Sequence, residues 1–334
     1  MTTHQPHEEP CPASTGALET VRLRDAQDLL TAVPYLLGFH PSDCVVVLAL
    51  DGAGRLLVTV RTDLPTAVDI PQAVSGLEQA LRYVEATELV LVGYCHLETA
   101  PLLAVFAEAL PWPTRDLLLV QQDRWWSLSC LEQDCCPQGE LMVPQDCVAA
   151  PMIAASGAPA ASRTDLAASL AGGPDHLLDQ VVRQLTTTPP MDTAERYAAA
   201  GKARAARRDG SVPMPPDRAA VLLLAVRDVM VRDACTIWHD EETVRLWLDL
   251  LPAAPPGWVA PVATLLAAAV YQRGDGALAV LALERALADD PGYGLARLLQ
   301  HVATIGVPPN ALTHVLTQAL ENNPLTAIEP PTHN

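Results

Sequence analysis

Cysteine carries the most concentrated chemistry in this chain. Cys130, Cys135 and Cys136 fall within seven residues, and Cys147 follows eleven later. Three or four thiolates can bind zinc tetrahedrally or hold an iron–sulfur cluster. Zinc modules usually pair one CxxC with a second, a spacing absent here. The same residues also read as structural thiols, as a disulfide between Cys130 and Cys135, or as a redox pair. Spacing favours packed thiols or a disulfide over zinc or iron–sulfur, so no cofactor is expected. Cys130 is predicted to lie near Cys135 or Cys136, with Pro137-Gln138-Gly139 turning the chain just after them.

A second group is polar. His40, Ser42 and Asp43 precede an apolar run, and Arg61 and Asp63 close the next one. If the two runs form a hairpin, those ends are neighbours and the five side chains can converge. His with Asp could do general acid–base work, and Arg could hold a carboxylate or phosphate. The plainer reading is turn chemistry for Ser42-Asp43 and an ion pair for Arg61. A third group is the basic segment with Arg196, Lys202, Arg204, Arg207 and Arg208, which reads as a solvated helix face.

The elements that must position these residues are legible from periodicity. Arg24 to Leu37 has apolar residues at helical spacing, and Pro34 is expected to end or kink that helix near Val33. Val45 to Leu50 is a continuous β-branched run, as in a strand buried on both faces. Asp51-Gly52-Ala53-Gly54 is a hairpin turn, and Leu56 to Arg61 is the return strand. Ala73–Ala86 reads as a helix, Leu89–Cys95 as a strand and Leu102–Leu110 as a helix. Arg115–Gln121 and Arg124–Ser129 read as two further strands. Strands alternating with helices of this length predict a mixed sheet of about five strands with flanking helices. Nucleotide-binding glycine loops are absent after these strands.

Half of the 334 residues are apolar, yet only 2 are Phe, so the core must be built from Leu, Ala and Val. The net charge of −18 repels phosphate backbones and anionic lipid, which argues against nucleic acid and membrane partners. No apolar run approaches the ~18 residues that span a bilayer. The first 20 residues are polar and Pro-rich, without the basic start and apolar core of a signal peptide. A cytoplasmic protein is expected, with residues 1–20 and 326–334 as disordered tails.

PYLLGFHPSD, followed by an apolar strand, a turn and VRTDLP, resembles the opening of an actinobacterial family catalogued as a domain of unknown function, DUF4192. WSLSCLEQDCCPQGELM (Trp126 to Met142) and YQRGDGALAVLALERALADDPGYGLARLL (Tyr271 to Leu299) resemble later parts of the same family. Members usually carry Ser where this chain has Cys44. The resemblance implies a fold and a lineage, without a reaction.

After Cys147 strand signals stop. Residues 149–161 read as an Ala/Pro/Gly/Ser linker, which divides an α/β domain (21–148) from an all-α domain (162–325). Predicted helices include Met191–Arg207, Asp217–Asp233, Pro261–Gln272 and Ala277–Ala288. Counted back from Pro291, Ala286, Leu283 and Ala279 occupy the small, large and small positions of a tetratricopeptide second helix, with Gly274 in the turn. The segment reads either as a tetratricopeptide-like helical hairpin or as part of an ordinary bundle.

The motifs of hydrolases, metallopeptidases and calcium loops are missing. The leading expectation is therefore a non-enzymatic interaction, regulatory or ligand-sensing protein with a protein partner on its helical domain. The alternatives are an enzyme acting on a small anionic substrate through His40, Asp43, Arg61 and Asp63, and a thiol-cluster metal or redox protein. Composition leaves the oligomeric state open.

Overall fold

The computed structural model describes residues 21–130 and 138–326. The N-terminal part runs α1 (Ala26–Leu37), β1 (Cys44–Leu50), β2 (Leu56–Asp63), α2 (Ile70–Ala80), β3 (Glu88–Tyr94), α3 (Ala100–Glu108), β4 (Thr114–Gln121), β5 (Arg124–Ser127), β6 (Glu140–Leu141) and α4 (Asp146–Ser156). A helix-rich part follows: α5 (Arg163–Ala168), α6 (Asp175–Thr187), α7 (Thr193–Ala205), α8 (Pro216–Arg227), α9 (Val229–Cys235), α10 (Glu241–Leu250), α11 (Val259–Gln272), α12 (Gly276–Asp289), α13 (Gly294–Thr304) and α14 (Pro309–Ala319). No helix among the described residues is long and apolar enough to cross a membrane.

The strands form one mixed sheet in the order β2-β1-β3-β4-β5-β6. Among the described strands only β3 and β4 pair in parallel, and α3 is their crossover. β6 is the strand beyond the five read from sequence; with two residues it has no period to detect. The continuous apolar run of β1 is explained by cover on both faces. Cys44, Val46 and Leu48 pack with Leu30, Val33 and Leu37 of α1, whereas Val45, Val47 and Ala49 pack with Leu77 of α2 and Phe106 of α3.

Three local expectations differ from what is observed. Helix α1 does not end at Pro34 but runs on to Leu37. Leu30, Val33 and Leu37 are buried on the sheet on both sides of the proline, and that packing outweighs the lost backbone bond. Much of the supposed linker is helical, because α4 covers Asp146–Ser156 and packs on α1. Its alanines are good helix formers, and composition alone mistook them for a spacer. The helix expected over Asp217–Asp233 is two helices broken at Asp228. That carboxylate caps α9 through Met230 N–H and also accepts from Thr193 and Arg196.

In the helix-rich part α11 is the central element. Every one of its residues except Tyr271 is buried, as expected for a helix apolar all round. Its N-terminus is capped from the far end of α12, where the Asp289 carboxylate accepts from Gly257, Val259 and Ala260 N–H. The two parts of the chain touch through Leu166 and Ala277, which pack on the α1 face of the sheet, and where Gly306 meets the end of α2.

The basic segment is a solvated face only in part: Lys202 and Arg208 are exposed, but the other three are paired. Arg196 pairs with Asp228, Arg204 with Asp240, and the fully buried Arg207 with Asp249. These partners all lie within the helix-rich part. Burial tends to raise the Asp240 carboxyl, but Arg204 and the Thr243 hydroxyl and N–H hold it down to about 2, from the ordinary 3.8. A depressed carboxylate contributes stability above its unfolded value and loses it as pH falls through the folded one. Between pH ~4 and ~2 the pair is therefore expected to give up about 1 kcal/mol, after discounting for partial exposure. Urea titrations of wild type and Asp240→Asn across that window check it, and parallel acid limbs for the two proteins would refute the assignment.

Candidate functional site

The parallel pairing of β3 and β4 borders a cleft. At the carboxyl ends of β3 and β4 the chain leaves the sheet in different directions, and ligands of α/β proteins bind in such crevices. Here there is a shallow cleft of about 320 Å³. One wall is the loop before β1, with Pro41, Ser42 and Asp43. The strand ends supply Tyr94, Cys95 and His96 on one side, and Val120, Gln121 and Gln122 on the other.

Two backbone positions mark this cleft. Among the described residues, Asp43 (φ 49°) and Gln122 (φ 58°) are the non-glycine residues with positive φ, and both line it. Asp tolerates the left-handed region, but Gln does so poorly. Gln122 is the first residue of the two-residue β4–β5 turn closed by Gln121 and Arg124, a position that favours Gly. Gln122→Gly is therefore expected to raise stability by about 1 kcal/mol in chemical denaturation. A loss of stability would show that the turn is not strained.

The side chains are held by neighbours. Gln121 Oε1 accepts Leu97 N–H at 2.9 Å, and its Nε2 lies 3.3 Å from His96 Nδ1. Tyr94 is only 8% exposed, and its hydroxyl has no hydrogen-bond partner among the described residues. Burial pushes its pKa far up. Burial also raises the Cys95 thiol; a Thr99 hydrogen bond opposes that and the Asp43 carboxylate adds to it. Beside the cleft, Cys44 is fully buried between Asp63 and Tyr94 on the neighbouring strands. Burial raises its thiol as well, against the positive charge of Arg61 on the neighbouring strand.

The five polar residues singled out in the sequence are divided. Ser42 and Asp43 line the cleft. Arg61 and Asp63 pair with each other at 2.5 Å at the end of β2. His40 is exposed and outside the cleft lining, and its backbone N–H donates to Ala160 O. Of the cysteine group, Cys130 is exposed and Cys147 half-buried, while Cys135, Cys136 and Pro137 lie outside the described residues. Among the described residues no cluster of His, Cys, Asp and Glu is arranged to hold a metal.

Tyr94, Cys95, His96, Gln121 and Gln122 were not singled out in the sequence. Their signal was positional: each sits at the carboxyl end of a strand that had been recognised, but parallel pairing had not been assigned to those two strands.

Residues 27–310 match the family described as a domain of unknown function, DUF4192. The chain belongs to the DUF4192 family. The match takes in the whole sheet, the cleft, and the helices through α13. No curated protein and no solved structure matches this DUF4192 chain.

Proposed function

We propose that this DUF4192 protein is a non-enzymatic sensor that holds a small ligand in the cleft and presents its helices to a protein partner. The observation that carries the reading is the state of the cleft's ionisable groups. The Tyr94 hydroxyl and the Cys95 thiol are raised by burial, so they stay protonated and serve as hydrogen-bonding groups rather than as bases or nucleophiles. His96 is tied to Gln121, and His40 lies outside the cleft lining, so neither offers a free base beside Ser42.

The route from cleft to helices is short. The loop that carries Ser42 and Asp43 is bonded to Ala160 by His40 N–H to Ala160 O (3.0 Å) and Ala160 N–H to Gly38 O (2.9 Å). Ala160 leads directly into α5, which rests on α12. In this reading α11 and α12 form a tetratricopeptide-like hairpin. Ala279 and Ala286, both fully buried, are the small residues that let the helices close on each other. The partner docks on this helical part, and the protein works in the cytoplasm.

Thermal denaturation against a panel of small metabolites tests the ligand reading. A compound at a hundred times its dissociation constant is expected to stabilise by about 2.7 kcal/mol. The gain should vanish in Ser42→Trp, which fills the cleft from an exposed position. Stabilisation that survives Ser42→Trp would place the ligand elsewhere and defeat the reading.

A further inference from the structure

We propose that the cleft selects a small organic cation that also carries a hydrogen-bond acceptor, such as an amino alcohol or amino sugar, and rejects carboxylates and phosphates. This rests on the ligand-binding reading above and adds the chemical class.

The argument is an inventory of charge and of hydrogen-bonding capacity. Among the described residues Asp43 is the one carboxylate on the cleft wall, and no Arg or Lys lines it. Arg61, on β2 beside Cys44, is outside the cleft lining and pairs with Asp63 through Nη1. An anion entering here would meet a carboxylate with no cation to compensate, on a chain that already carries −18.

The donors are neutral and fixed. Because Gln121 Oε1 accepts Leu97 N–H, its amide NH2 must face His96 Nδ1. That NH2 can only donate, so Nδ1 accepts and the ring proton sits on Nε2. Tyr94 lines the cleft, and its enclosed hydroxyl has no hydrogen-bond partner among the described residues. A ligand ammonium on Asp43, with a hydroxyl or ether oxygen accepting from Tyr94, matches this set. At about 320 Å³ the cleft is at the small end of ligand sites, which fits a compound of that size.

Calorimetric titration of the full chain with ethanolamine, glucosamine, glucose, inorganic phosphate and citrate tests it. The variants are Asp43→Asn, Tyr94→Phe and Ser42→Trp. Asn keeps the left-handed backbone that Asp43 adopts, so the first variant should fold. The expected result is binding of an amine that Asp43→Asn weakens at least tenfold, Tyr94→Phe weakens severalfold, and Ser42→Trp abolishes. Affinity should fall as salt rises. Phosphate or citrate binding that Ser42→Trp abolishes would overturn the ligand class while leaving the cleft as a binding site. So would glucose binding as tightly as glucosamine. Amine binding indifferent to Asp43→Asn would overturn the role of the carboxylate. Failure of every probe to respond to Ser42→Trp would overturn both the class and the underlying reading.

Discussion

Gly306→Ala is expected to cost about 4 kcal/mol, enough to lower the melting temperature by roughly 10 °C. Gly306 follows α13 with φ 67°, a conformation that burdens any residue with a Cβ. Space adds to the conformational cost. A Cβ built there would lie 2.6 Å from the carbonyl carbon of Ala80, the last residue of α2, and would collide with its oxygen. Both atoms belong to backbone, so relief requires the helix-rich part to back away from α2. Gly274→Ala is the matched control: it also has positive φ (88°), but nothing lies within 4 Å of its Cβ. It should cost only about 1 kcal/mol. Equal effects of the two substitutions in chemical denaturation would show that the α13–α14 turn does not bear on α2.

Asp249→Ala is expected to be as damaging, at about 3–5 kcal/mol. Arg207 is 0% exposed; its Nε donates to Asp249 at 3.0 Å and its Nη1 to Ala203 O at 2.6 Å. The same carboxylate accepts Val212 N–H at 3.1 Å. Removing it leaves a buried guanidinium without a counter-charge and an amide without a partner. Burial already lowers the Arg207 pKa, against the pull of Asp249. The double replacement Arg207→Met with Asp249→Leu removes both charges and should recover much of the loss. Urea denaturation of the three proteins decides it. A single substitution costing less than about 1 kcal/mol would mean that water reaches the guanidinium.

The fold was legible where one physical rule dominates. A strand buried on both faces reads as an unbroken apolar run, and β1 and β3 did so. Helices fenced by Pro and Gly, such as α11 and α12, were placed within two residues of their ends. What escaped was decided by contacts distant in sequence. Pro34 stays helical because the sheet holds both halves of α1, and α4 forms against α1 rather than serving as a linker. Arg207 belongs to a buried pair because Asp249, on α10, lies beneath it. The site followed the same pattern. Ser42 and Asp43 were found from local turn chemistry. Tyr94, His96 and Gln122 become neighbours of them only through the pairing of β1, β3 and β4, which no local pattern encodes.

A crystal structure of the protein with the first compound that raises its melting temperature tests the central claim most directly. The account predicts ligand density in the cleft at the ends of β3 and β4, touching Asp43 and the Tyr94 hydroxyl, with Gln122 at its edge. Density on the helix-rich part, with the cleft filled only by solvent, would contradict it.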